Sequence, residues 1–171
     1  MVLKEHGMEL NNNAKETYIQ LLIDSLKKKR GILDELMMVT ERQREIIDSE
    51  NFREDEFLET ISLKEGFIKE LVDLDKGFEM VYERIREELN ENRKDYIPQI
   101  TALKELVTVV TDLSVKLQAL EKSNKAKLET LMVNKRKKIK NLRLGNETVA
   151  SYYKNMSNQS EGRSYFYDKK K

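Results

Sequence analysis

Apolar side chains recur along this chain at alternating steps of three and four residues, the seam of a coiled coil. The first run reads Ile19, Leu22, Leu26, Lys29, Leu33, Leu36, Thr40, Gln43, Ile47, with six of nine positions apolar. The second reads Phe57, Ile61, Lys64, Ile68, Leu71, Asp75, Phe78, Tyr82, Ile85, Leu89. The third opens Leu103, Leu106, Val110, Leu113, Leu117, Leu120 and drifts past Asn124 to Leu128, Met132, Ile139 and Leu142, with Leu131 beside it. These runs predict helices over about 13–48, 55–91 and 96–144. A short fourth helix is expected over 147–156, presenting Val149, Tyr152 and Tyr153.

The boundaries carry their own signals. Asn11, Asn12 and Asn13 supply capping side chains, and Glu16 is placed to complete a capping box with Asn13. Asn51 with Glu54 reads as a second box, which puts the first turn at 49–54. Pro98 falls in the first turn of the third helix, where its missing N–H costs nothing. Connections this short make consecutive helices antiparallel neighbours. The fold expected is all-α: an elongated antiparallel three-helix bundle or coiled coil with a long third helix. A helical domain then occupies 1–156, and 157–171 forms a mobile aromatic and basic tail that carries Tyr165, Phe166 and Tyr167 ahead of three lysines. The polar seam residues cost stability and set register, as polar a-positions do. Gly66 and Gly77 lie three turns apart on one face and read either as tolerated glycines or as a close-approach groove.

Composition narrows the chemistry. The 171 residues include no cysteine, one histidine (His6), one proline, and 37 % charged side chains. That profile suits solvent-exposed helices, and it removes thiol and zinc–thiolate chemistry. The one histidine lies outside every expected helix, so the Glu-x-x-His pattern of di-iron bundles has nowhere to form. No phosphate-binding loop, nucleophile elbow or EF-hand occurs. Carboxylate pairs such as Glu83 with Glu87 read as a solvated face. We expect no enzyme, cofactor or metal. No apolar run approaches the ~20 residues of a membrane span, and the first ten residues lack a signal-peptide core, so a cytoplasmic protein without stable membrane insertion is expected.

Charge is segregated. Residues 41–95 hold ten basic against eighteen acidic side chains, and residues 121–171 hold fourteen against five. Lys135, Arg136, Lys137, Lys138, Lys140 and Arg143 form the densest basic block. Without interleaved aromatics it favours pairing with the acidic flank of helix 2, or steering of an acidic protein, over nucleic acid or lipid. If the first two helices stop short of Asn124, then Leu128, Leu131, Met132, Ile139, Leu142, Val149, Tyr152 and Tyr153 have no partner within the bundle. An unpaired stripe of this kind suits an amphipathic partner helix, and self-association into a homodimer would cover it equally.

Three groups of residues stand out: LKKKRGILDEL (26–36) with ERQREII (41–47), ISLKEGFIKELVDL (61–74), and LRLGN (142–146) with Tyr152-Tyr153 and GRSYFYDKKK (162–171). These stretches resemble the flagellar type III export chaperones of the FlgN kind, with FliT-like chaperones close in architecture. The resemblance covers about residue 15 to the end, and its tail is the more specific part. It implies a cytoplasmic chaperone that binds the C-terminal amphipathic helix of hook-associated proteins, prevents premature assembly and delivers them to the export ATPase and gate. A FliT-like chaperone would take the filament cap protein instead. Partner binding is expected at the eight apolar residues from Leu128 to Tyr153, an assignment that comes from their hydrophobicity and not from a family motif. The Tyr165–Tyr167 tail would regulate or dock.

Overall fold

The computed structural model describes residues 11–135. Within those residues three helices run Asn12–Asp48 (α1), Glu54–Glu91 (α2) and Ile97–Lys135 (α3). At 1.5 Å per residue each is a rod of roughly 55 Å. They form the expected antiparallel three-helix bundle, with no strand among the described residues. α1 packs closely along both α2 and α3, whereas the backbones of α2 and α3 come together least.

The helix ends differ in detail from the sequence expectation. Asn11, not Asn13, caps α1: the Ala14 N–H donates to its Oδ1 at 2.7 Å. Ser49 closes the helix by donating from Oγ to the Ile46 carbonyl at 2.8 Å. The Asn51–Glu54 box does not form. Arg53 takes the position before α2 without a side-chain cap, and Glu54, Asp55 and Glu56 occupy the first turn instead. Three carboxylates there offset the positive end of the helix dipole, and Asp55 Oδ1 accepts from the Glu56 N–H at 2.9 Å. A 3-10 turn, Arg93–Tyr96, joins α2 to α3, and Pro98 lies in the first turn of α3 as expected.

All nine seam residues of α1 and all ten of α2 are buried. In α3 the buried seam is Ile100, Leu103, Val107, Val110, Ser114, Leu117, Glu121, Asn124, Leu128 and Met132. Leu106, Leu113 and Leu120 are only half-buried and lie on the flank. Lys127, seven residues beyond Leu120, reaches Asp48 of α1 at 3.0 Å, so this flank faces α1. Gly66 and Gly77 are exposed, and a Cβ at either would meet no atom within 4 Å. They are tolerated glycines and form no close-approach groove.

Candidate functional site

The core comes in three apolar clusters separated by polar layers. Nearest the α2–α3 turn, Leu22, Leu26, Phe78, Tyr82, Ile85 and Leu103 belong to the first cluster. Leu33, Leu36, Ile68, Leu71, Val110 and Leu117 belong to the second. Ile47, Phe57, Ile61, Leu128 and Met132 form the third, beside the α1–α2 turn. Between the first two, the Lys29 ammonium of α1 donates to Asp75 Oδ1 of α2 at 2.7 Å, with both side chains buried.

The second layer is larger and draws two residues from each helix. Lys64 of α2 is 0 % exposed and pairs with the Glu121 carboxylate of α3. The same ammonium donates to Gln43 Oε1 of α1 at 2.7 Å, and Gln43 Nε2 donates to Thr60 Oγ1 at 3.0 Å. Thr60 passes the chain on to the Phe57 carbonyl. Asn124 Nδ2 donates to the Thr40 carbonyl at 3.0 Å, while Asn124 Oδ1 is enclosed without a hydrogen-bond donor. Burial pulls Lys64 below its usual value despite the attraction of Glu121. It pushes Glu121 up despite Lys64. On both partners the loss of hydration outweighs the mutual attraction, as it often does for interior pairs.

At the opposite end, Glu88 accepts from Tyr96 Oη at 2.8 Å and from Lys15 Nζ at 3.3 Å. Burial alone would raise the Glu88 carboxyl, but these hydrogen bonds and the Lys15 charge bring it below its usual value. Tyr96 moves the other way, up to about 12, through burial and then through donation to the carboxylate.

The residues expected to bind a partner divide in two. The structure places Leu128 and Met132 inside the third cluster, 2 % and 8 % exposed, with Leu131 half-buried against it. The expectation that they lack a partner within the bundle is therefore corrected. α1 continues to Asp48 and α2 begins at Glu54, so both reach the level of Met132, and Ile47, Phe57 and Ile61 fill the space around it. Ile139, Leu142, Val149, Tyr152, Tyr153 and the Tyr165–Tyr167 tail lie outside the described residues, as does most of the basic block. Beside the third cluster a shallow groove of about 380 Å³ runs between Ile47 and Asp48 of α1 and Lys127, Leu131 and Asn134 of α3.

Among the described residues no group of His, Cys, Asp or Glu is placed to hold a metal ion, and no helix is long and apolar enough to cross a membrane. Glu83 and Glu87 are both exposed. Glu121 is the member of this layer that hydrophobicity passes over, since Leu120 beside it carries the apolar reading of the third seam. The signal was present in α2: a lysine on its buried seam requires a carboxylate from a facing helix. No protein-family model matches the chain, and neither does a curated protein or a solved structure.

Proposed function

We propose that this chain is a cytoplasmic export chaperone of the FlgN kind. It holds the C-terminal amphipathic helix of a hook-associated protein until the client reaches the flagellar export ATPase and gate. The supporting observation is the course of the third helical repeat. The bundle fills that seam through Met132. In the sequence the apolar pattern continues at compatible steps to Ile139 and Leu142, and Val149 and Tyr153 follow in the expected fourth helix. A stripe that outlasts its partners is a receptor for a helix carrying its own 3-4 repeat. Tyr152 flanks the stripe, and Tyr165, Phe166 and Tyr167 are assigned to regulation or docking. Leu128, Leu131 and Met132 reach a client only where the end of the bundle opens. Among the described residues the buried charged groups pair with each other, Lys29 with Asp75 and Lys64 with Glu121.

The test is capture from cytosol of the source organism on immobilised full-length chain. Enrichment of a hook-associated protein supports the reading and names the client, whereas a filament cap protein moves it to the FliT-like branch. Recovery of this chain alone would overturn it in favour of a self-pairing coiled coil.

A further inference from the structure

The six-residue layer of Thr40, Gln43, Thr60, Lys64, Glu121 and Asn124 spans the whole cross-section of the bundle. Every helix contributes two of its members, and all six are buried. The apolar clusters on either side are separate bodies: Leu33, Leu36, Leu71 and Leu117 lie on one side, Ile47, Phe57, Leu128 and Met132 on the other. Apolar contact couples the opening of neighbouring turns of a bundle, so that coupling is weakest where polar side chains from every helix interrupt the core.

The two polar layers differ. The Lys29 layer is built around an ion pair between α1 and α2, and Ser114 of α3 is buried on the third seam. The Lys64 layer holds two buried polar side chains on each helix, and across the face where the α3 backbone lies farthest from α2 the connection is made by the Lys64–Glu121 pair. Asn124 Oδ1 is enclosed there without a donor, a cost that hydration on opening would relieve.

We propose that the bundle opens in two steps along this layer. The part beyond it (about residues 44–59 and 125–135) detaches as one cooperative unit while the remainder stays folded. Opening there uncovers Ile47 and Phe57 on the α1–α2 hairpin together with Leu128 and Met132 on α3. The inference stands on the packing alone and is independent of the chaperone reading.

Native-state hydrogen exchange on the full-length chain, followed through low concentrations of urea, tests it. The expected profile is a step at the layer. Amides of 44–59 and 125–132 exchange about tenfold or more faster than those of 19–36, 68–89 and 103–117, and converge on one shared urea dependence. A smooth increase toward the α1–α2 turn, residue by residue, is end fraying and would overturn the proposal. A single exchange level throughout would do the same. The variant Gln43→Leu/Lys64→Met/Glu121→Leu/Asn124→Leu, which joins the two clusters through an apolar layer, is expected to abolish the step. If that variant does not fold, the wild-type profile still decides.

Discussion

Lys64 and Glu121 face each other in the interior, one on α2 and one on α3, across the side of the bundle where the backbones are farthest apart. Neither keeps its hydration, and both are moved toward their neutral forms by burial. The pair sets which turn of α3 lies opposite which turn of α2, since a slip of one heptad would put the buried lysine opposite Ser114 or Leu128, without a carboxylate.

Changing one partner is therefore far worse than changing both. Glu121→Leu alone is expected to destabilise the chain by about 3–5 kcal/mol, because it leaves an unpaired interior ammonium. Lys64→Met with Glu121→Leu is expected to fall between neutral and about 4 kcal/mol more stable. Urea unfolding of the two singles and the double measures this. A double variant no more stable than Glu121→Leu alone would contradict it.

Gly66 and Gly77 sit in exposed helix interiors with open space where a Cβ would be. Alanine at either is expected to stabilise the chain by about 0.5–1 kcal/mol, through helix propensity and a less disordered unfolded state. A loss of stability in chemical denaturation would show a hidden contact at these positions.

The Lys15–Glu88–Tyr96 group predicts pH dependence at both extremes. Glu88 titrates below its ordinary value in the folded chain, so its contribution is present above the unfolded carboxylate range and is lost as pH falls through the folded value. Tyr96 titrates near 12 against an ordinary 10.0. Its contribution is present below the unfolded value and is lost as pH rises toward the folded one. In Glu88→Gln the phenol is expected to titrate closer to 10.0, read from tyrosinate absorbance in Tyr96→Phe difference spectra. An unchanged phenol titration would remove Glu88 as a cause.

The seams of α1 and α2 were legible because polar and apolar members alike keep strict 3-4 steps: Lys29, Gln43, Lys64 and Asp75 all lie where the spacing puts them. α3 was legible only at alternate positions. Two seams, through Leu106, Leu113 and Leu120 or through Val107, Ser114 and Glu121, share Leu103, Val110 and Leu117, and hydrophobicity selects the leucines. The structure selects the other seam because Glu121 answers Lys64, while the leucines cover the flank against α1. The bundle's reach was underestimated for a related reason. Leu128 and Met132 looked uncovered only while α1 and α2 were taken to end short of them.

That correction changes what substitution at the distal end does. Leu128→Ala is expected to cost about 2–5 kcal/mol as a core truncation, and the half-buried Leu131 distinctly less. Thermal or urea unfolding distinguishes the two. Equal, small losses would mean the third cluster is not closed.

The most direct test of the functional account is calorimetric titration of the full-length chain with the C-terminal helix of the captured client, comparing wild type with Ile139→Glu/Leu142→Glu. The account predicts that binding is lost in the variant while the urea midpoint of the bundle is unchanged. Wild-type affinity in that variant would contradict it and place the client elsewhere on the molecule.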